Sequence, residues 1–316
     1  TEISLDELLR SYEGTLDPIF PRRAKSIEKD APVLPEYKGI PAFYVHTNVA
    51  RPRVFIPTMP GNNCEVDSAR AFERAGAVSD IFIFRNRDSE ELKHSVEEMA
   101  ERISHAQIVM FPGGFSAGDE PDGSGKFIAA VFRNEALQQA LDKLLHERDG
   151  LALGICNGFQ ALIKLGLVPF GEFKPLTGDA PTLTFNTIGR HLSRYVTTKV
   201  VSCKSPWMSL CKPGDLYSIA ISHGEGRFIA TDEQIQALVA NGQIATQYVT
   251  PEGMPTYDSR FNPNGSCWAV EGITSPDGRV LGKMGHTERR GENIGKNITG
   301  NKYQPLFEAG VKYFKG

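Results

Sequence analysis

A cysteine between two glycines is the residue of this sequence best suited to chemistry. In Gly154-Ile155-Cys156-Asn157-Gly158, an apolar run at 151–155 leads into Cys156, and a helical pattern follows at 157–165. A nucleophile at such a strand-to-helix turn needs small neighbours, because its backbone is crowded between the two elements. The turn presents the thiol at the carboxyl edge of a sheet, and the helix N-terminus favours the reactive thiolate.

A histidine and a carboxylate two residues apart, His286 and Glu288, follow a strand-like stretch at 279–284. The pair supplies a general base together with a group that orients it. His286 would remove the thiol proton and later protonate the leaving group, while Glu288 would fix the imidazole tautomer and stabilise the imidazolium. Together with Cys156, these residue types indicate nucleophilic acyl transfer.

Two glycines, Gly113 and Gly114, directly follow an apolar run at 108–111. After a parallel strand, such a pair can turn backbone N–H groups toward a developing oxyanion. The N–H of Asn157, next to the nucleophile, is a second candidate donor. Because each such donor contributes about 3 kcal/mol in acyl transfer, the sequence predicts an oxyanion hole formed by Gly113, Gly114 and Asn157.

Each feature has a more ordinary interpretation when it stands alone. A single cysteine is usually a small buried hydrophobe, a Gly-Gly pair is usually a tight turn, and a histidine near a glutamate is usually structural. Cys64 is interpreted in this way, as a structural residue. The catalytic interpretation rests on the combination of Gly-Gly, cysteine turn and His-x-Glu in this order along the chain.

The elements around these residues alternate between strands and helices. Strands are predicted at 54–57, 81–84, 108–111, 151–155, 195–202 and 280–284, and helices at 66–76, 89–104, 134–147 and 157–165. This alternation is typical of an α/β fold with a largely parallel central sheet and helices on both faces. We expect a flavodoxin-like arrangement with the site at the carboxyl ends of the strands.

Composition excludes several classes of protein. With 40% hydrophobic and 23% charged residues among 316, the chain has the balance of a globular protein. Its net charge of −3 gives no positive field for a polyanion, so we predict no nucleic-acid partner. The longest apolar runs have strand length and no secretory signal is visible, so we expect no membrane association and a cytoplasmic location. The five cysteines fit a reducing compartment, and neither they nor the histidines form a metal-ligand pattern.

Several longer segments carry a family resemblance. They are Pro60-Gly61-Asn62-Asn63-Cys64-Glu65, Phe111-Pro112-Gly113-Gly114-Phe115-Ser116, Gly154-Ile155-Cys156-Asn157-Gly158-Phe159-Gln160, Ser222-His223-Gly224-Glu225-Gly226-Arg227-Phe228 and Asn262-Pro263-Asn264-Gly265-Ser266. From about residue 53 to 290, the chain resembles the class I glutamine amidotransferases. More closely, it resembles the glutaminase domains of phosphoribosylformylglycinamidine synthases, the branch indicated by the fourth and fifth segments.

The resemblance implies a reaction and a partner. L-Glutamine would be hydrolysed to glutamate and ammonia through a γ-glutamyl thioester on Cys156, and this half-reaction needs no cofactor. The ammonia would pass to a synthetase domain or subunit that uses ATP and magnesium to make formylglycinamidine ribonucleotide in de novo purine synthesis. The resemblance also implies five substrate-binding residues: Phe115, Gln160, Asn186, Arg190 and His223. For His223, a position at a domain interface is the alternative.

The sequence departs from the family pattern beside the catalytic histidine. The family usually has proline on both sides of it, where this chain has Gly285 and Thr287, which predicts a less rigid loop. The family's Asn-x-Ser-x-Arg pattern reads Asn186-Thr187-Ile188-Gly189-Arg190, so its serine is absent.

Residues 1–50 differ from the rest of the chain. A capping-box pattern at 4–7 predicts a short helix to about residue 12, and five prolines follow by residue 41. We expect an N-terminal arm or inter-domain linker at 1–50 and a class I glutaminase domain at 51–316. An arm packed on its own domain and a linker to another domain are equal alternatives.

Two other functions are compatible with a cysteine at the edge of such a sheet. A cysteine hydrolase or protective protein of the DJ-1 and PfpI group shares the cysteine turn, but His286 and Glu288 far downstream favour the amidotransferase. A non-catalytic flavodoxin-like scaffold module would show slow, unselective alkylation of its exposed thiols. A catalytic Cys156 should react first and be protected by glutamine.

Overall fold

The computed structural model describes residues 2–25, 30–37, 39, 48–119 and 125–315. The strands in these ranges are β1 (Arg53–Thr58), β2 (Val78–Ile83), β3 (Ile108–Phe111), β4 (Leu151–Ile155), β5 (Thr182–Phe185), β6 (Leu192–Val200), β7 (Leu216–His223), β8 (Glu225–Ile229), β9 (Ile244–Val249), β10 (Val270–Thr274) and β11 (Val280–Lys283). The α-helices are α1 (Leu5–Gly14), α2 (Glu65–Arg74), α3 (Ser89–His105), α4 (Lys126–Phe132), α5 (Glu135–Asp142), α6 (Asn157–Leu165), α7 (Asp232–Ala240) and α8 (Leu306–Lys315).

Within the described ranges, nine strands form one sheet in the order β2-β1-β3-β4-β11-β10-β9-β6-β7, and β5 pairs separately with β8. The half from β2 to β11 is parallel, and the half from β10 to β7 is antiparallel. Strands β3 and β4 are buried along their whole length, as expected for central parallel strands covered on both faces. The predicted α/β fold with a largely parallel central sheet is confirmed.

The parallel half brings the predicted site residues to one edge of the sheet. Strand β4 lies between β3 and β11, and Leu153 pairs with Met110 on one side and Leu281 on the other. Because these three strands run in the same direction, the segments after their carboxyl ends meet. Those segments contain Gly113, Cys156 and His286.

Local sequence signals account for the helices that support this edge. Helix α3 begins after Asp88, whose carboxylate accepts the Glu91 N–H at 2.8 Å, and its last turn carries basic residues. Helix α6 ends at Gly166, which adopts a φ of 84°. None of the helices in the described ranges has the length and apolar character needed to cross a membrane.

The described part of the N-terminal arm contains helix α1 and, after it, residues that contact the α/β body. Helix α1 is capped by Ser4, whose hydroxyl accepts the Glu7 N–H at 3.3 Å, and no residue of the helix is buried. Farther along, Ala31 and Leu34 are buried, and the Ser259 hydroxyl donates to the Ala24 carbonyl at 2.9 Å. The described part of the arm therefore packs on the body, and its role as an inter-domain linker stays a prediction.

Candidate active site

The turn between β4 and α6 has the geometry of a nucleophile elbow. Cys156 adopts a φ of 53° and a ψ of −105°, a conformation that L-residues rarely adopt. A Cβ atom on Gly158 would lie 2.0 Å from the Phe111 carbonyl oxygen, and one on Gly154 would lie 2.7 Å from the Gly158 backbone. The two glycines that flank the cysteine are therefore required by the close approach of strand and helix.

The sulfur of Cys156 lies in a buried environment. Burial raises the pKa of the thiol, the neighbouring Cys64 and Glu288 raise it further, and Arg289 and the Asn157 backbone N–H act in the opposite direction. The thiol donates to the Ser222 carbonyl at 3.5 Å. Burial thus outweighs the expected effect of the helix N-terminus, so a nucleophilic role for this thiol would require a base to remove its proton.

The His286 and Glu288 side chains form a buried pair. The Nδ1 atom of His286 lies 2.6 Å from Oε1 of Glu288, and both side chains are almost completely buried. Among the described residues, Nε2 of His286 has no hydrogen-bond partner. With Nδ1–H donating to the carboxylate, Nε2 carries the lone pair that a general base uses.

The two glycines after β3 close the site from the other side. A Cβ on Gly113 would lie 2.8 Å from Cε1 of His286, so this turn packs directly against the imidazole. Gly114 has a φ of 137° and bridges to Asn62. The Phe115 N–H donates to the Gly61 carbonyl at 2.9 Å. The structure brings Gly113 beside the histidine, and the oxyanion role of Gly113, Gly114 and Asn157 stays a prediction.

Gln160 and Phe115 differ in their surroundings. The Gln160 side chain is buried, with Oε1 accepting from Asn157 Nδ2 at 2.9 Å and Nε2 donating to the Glu225 carbonyl at 2.5 Å. It therefore ties α6 to β8, directly behind the nucleophile. The Phe115 ring is 39% exposed and lies 5.9 Å from the His191 ring. Glutamine binding by either residue stays a prediction.

Asn186 and His223 lie together, whereas the Arg190 side chain points elsewhere. Asn186 Nδ2 donates to the carbonyls of Arg190 and His223 at 3.0 and 2.8 Å, and its Oδ1 lies 3.1 Å from His223 Nδ1. The Arg190 guanidinium stacks on the Phe20 ring of the N-terminal arm at 4.0 Å and donates to the Pro21 carbonyl. Substrate contacts by these three residues stay predictions.

His223 is held in one tautomer. Because both Nδ2–H groups of Asn186 point at carbonyls, its Oδ1 accepts from His223 Nδ1–H, and His223 Nε2 is a buried acceptor without a partner among the described residues. The pKa of His223 is lowered to about 3, mainly by burial, with smaller contributions from the neighbouring His286 and His191. The ring is therefore neutral at physiological pH.

This pKa shift predicts a pH-dependent stability. Since the pKa of His223 falls from 6.5 to about 3 on folding, the unfolded chain binds the extra proton between these values and stability falls as the pH drops through this window. In His223→Asn, which keeps an amide donor toward Asn186, the free energy of unfolding should depend less on pH. Between these two pKa values, the difference in unfolding free energy between wild type and His223→Asn should change by about 1.4 kcal/mol per pH unit. Urea unfolding between pH 4 and 8 measures this, and parallel curves would contradict it.

Two residues that lie beside the His286–Glu288 pair were not assigned to the site from the sequence. Cys64, interpreted as structural, lies with its sulfur 3.9 Å from His286 Nδ1, and Arg289 Nη2 donates to that sulfur at 3.0 Å. Ligand atoms of Cys64, His286 and Glu288 lie within 4.8 Å of one another, a spacing compatible with a metal ion. The positive charge of the adjacent Arg289 guanidinium disfavours a cation at this position. That Arg289 directly follows Glu288 in the sequence is the one signal that could have placed it near the site.

Comparison with known proteins agrees with this arrangement. A family model for the CobB/CobQ-like glutamine amidotransferase domain matches residues 51–314. A phosphoribosylformylglycinamidine synthase subunit PurQ of Symbiobacterium thermophilum is 31% identical over 264 residues, which are 84% of this chain and 97% of the relative. A subunit of the same name from Methanococcus maripaludis is 34% identical over 247 residues, 75% of this chain and 82% of the relative.

A solved structure shows the same fold. A chain in the structure of PurLQS from Thermotoga maritima superposes with a TM-score of 0.59 at 25% identity, covering 83% of this chain and 99% of that chain. The predicted class I glutaminase fold is thereby confirmed. On the family match across residues 51–314, the chain belongs to the CobB/CobQ-like glutamine amidotransferase domain family.

Proposed function

We propose that this chain is the glutaminase component of a phosphoribosylformylglycinamidine synthase and that Cys156, His286 and Glu288 form its catalytic triad. The observation that carries the triad is the buried 2.6 Å contact between His286 Nδ1 and Glu288 Oε1, beside a cysteine in elbow geometry. The pathway is supported by the names of the relatives, which match this chain over most of their length.

The first half of the reaction transfers the glutamyl group to the enzyme. His286 Nε2 takes the thiol proton, and Cys156 Sγ attacks the side-chain amide carbon of glutamine. The negative charge that develops on the amide oxygen is stabilised by backbone N–H groups of the turn at Gly113 and Gly114 and of Asn157. As the tetrahedral intermediate collapses, the imidazolium protonates the leaving nitrogen, ammonia departs and a γ-glutamyl thioester remains.

The second half releases glutamate. A water molecule enters the position that ammonia has left, His286 removes its proton, and the resulting hydroxide attacks the thioester carbon. Collapse of this second intermediate breaks the carbon–sulfur bond and returns the proton to Cys156. Throughout, Glu288 keeps the imidazole oriented and offsets its transient positive charge.

In this proposal, the ammonia released from glutamine is passed on to a synthetase. A solved relative is named PurLQS, which indicates an assembly of several subunits, and the curated relatives are named as subunits of a synthase. We propose that a synthetase domain or subunit receives the ammonia and that ATP and magnesium bind there. The glutaminase half-reaction itself uses the side chains of Cys156, His286 and Glu288.

A glutamine-analogue electrophile tests the proposal. The protein, with its synthetase component present, is treated briefly with diazo-oxo-norleucine and analysed by mass spectrometry, with and without competing glutamine. We expect one adduct, on Cys156, that glutamine suppresses. The partly exposed Cys203 and Cys267 are internal controls, because simple exposure would label them first. Uniform labelling of exposed thiols that glutamine does not change would support the scaffold alternative and contradict the triad.

A further inference from the structure

A buried ion pair, formed by Lys283 and Glu271, contacts the segment that precedes His286. Lys283 is the last residue of β11, and its side chain is 1% exposed. Its Nζ lies 3.6 Å from Oε1 of Glu271, a fully buried side chain on the neighbouring strand β10. Two charges inside a sheet carry a large desolvation penalty, and such pairs rarely stabilise a fold more than apolar residues of the same volume would. The contacts of this pair indicate a different role.

The pair holds both polar groups of the Gly285 backbone. Glu271 Oε1 accepts the Gly285 N–H at 2.6 Å, and Lys283 Nζ donates to the Gly285 carbonyl at 3.3 Å. A Cβ on Gly285 would lie 2.9 Å from Glu271 Oε1 and 2.8 Å from an Ile219 methyl carbon, so a side chain does not fit there. The residue before His286 is thereby fixed from two directions.

The same ammonium group also holds the residue after the histidine. Lys283 Nζ donates to the Thr287 hydroxyl at 2.7 Å, and that hydroxyl donates onward to Oε1 of the buried Gln304 at 3.2 Å. The His286 N–H is itself held by the Ala220 carbonyl at 2.8 Å. One lysine therefore links the two residues that flank the base.

We propose that Lys283 is a positioning residue for His286, acting through the Gly285 carbonyl and the Thr287 hydroxyl. The inference rests on the proposed role of His286 as the base. The hydrogen bonds of the Lys283–Glu271 pair restrain the segment at Gly285 and Thr287, and its rigidity relative to the family's proline-containing loop stays a prediction. Displacement of a catalytic group by about 1 Å can cost two orders of magnitude in rate, so the restraint should be visible in kcat.

A matched pair at Thr287 tests the hydroxyl link. Thr287→Val removes the hydroxyl at nearly constant volume, whereas Thr287→Ser keeps it. In the full protein with its synthetase component, Thr287→Val should lower the kcat of glutamine hydrolysis about tenfold or more, with KM changed by less than about threefold. Thr287→Ser should stay close to wild type. Rates are divided by the amount of Cys156 that diazo-oxo-norleucine labels, so that a loss of folded protein does not count as a loss of kcat.

A double variant separates positioning from stability. Lys283→Met alone leaves Glu271 buried without its cation, so we expect it to destabilise the fold for reasons unrelated to catalysis. Lys283→Met combined with Glu271→Gln removes both charges, and the glutamine retains an acceptor for the Gly285 N–H. This protein should show a thermal unfolding midpoint near that of wild type and a kcat reduced to the level of Thr287→Val.

The outcomes distinguish this inference from the proposed function. Wild-type kcat per labelled site in both Thr287→Val and the folded double variant would overturn the positioning role, while a Cys156→Ala variant without activity would leave the triad standing. Activity in Cys156→Ala would instead refute the triad, and the positioning role with it. A low kcat in Thr287→Val that Thr287→Ser restores supports the proposal.

Discussion

Replacement of Cys156 by alanine should lower glutamine hydrolysis by about four orders of magnitude or more while the protein stays folded. Loss of a triad nucleophile removes the covalent route completely, and the remaining oxyanion donors give only slow residual turnover. The fold should persist because alanine and cysteine have similar backbone preferences at a φ of 53°, and the substitution removes one sulfur. Ammonia release from glutamine, coupled to a spectrophotometric readout, measures the rate.

The acceptor half of the reaction supplies a control for Cys156→Ala. If the chain feeds a synthetase, the variant with its synthetase component should still form the amidine product when ammonium salts replace glutamine. Cys267→Ala, a change at a partly exposed thiol outside the site, should keep both activities. Full glutamine hydrolysis by Cys156→Ala would exclude the thioester mechanism, and loss of the ammonia-dependent reaction as well would point to a structural defect.

The parts of the site built from local sequence were predictable. Strands β3 and β4 and helix α6 occupy the predicted residues, because a glycine or proline borders each of them: Pro112 after β3, Gly150 before β4 and Gly166 after α6. The crowding around Gly154 and Gly158 also follows from the local pattern, since a strand that turns directly into a helix needs small residues there.

The parts built from distant segments were not predictable in this way. Strand β7 lies at the far end of the sheet order, yet its Ala220 and Ser222 carbonyls contact His286 and Cys156. Cys64 reaches the site from a loop that is separated from His286 by 222 residues. The hydrophobic periodicity of these two segments does not predict such contacts. The contacts depend on how the sheet curves and not on the secondary-structure propensity of single residues.

Lys283 shows the same limit within a strand. A lysine in a strand pattern predicts an exposed position, since this side chain is almost never fully buried unless it is paired. Its partner Glu271 lies on the adjacent antiparallel strand, and the pairing of β10 with β11 follows from tertiary structure. The sequence could therefore predict where His286 lies but not what restrains it.

Glu288→Gln should lower kcat by about two to four orders of magnitude with little change in the fold. Glutamine has nearly the same shape, so the buried site can accept it, but it lacks the charge that stabilises the imidazolium. Its amide can also donate to His286 Nδ1, which would place the proton on Nε2 and remove the lone pair that acts on Cys156. Steady-state glutaminase assays measure kcat and KM, and we expect the effect in kcat.

Alkylation of Cys156 separates a catalytic from a structural role of Glu288. After prolonged treatment with diazo-oxo-norleucine the variant should still reach full, glutamine-protected labelling, because substrate binding and the elbow do not depend on the carboxylate charge. The rate of labelling should fall, since deprotonation of the thiol needs the base. Glu292→Gln, an exposed change in the same loop region, should leave both turnover and labelling near wild type. If Glu288→Gln loses both turnover and the final extent of labelling, the carboxylate supports the folded site. A fall in turnover with labelling retained assigns it to the orientation and charge of His286.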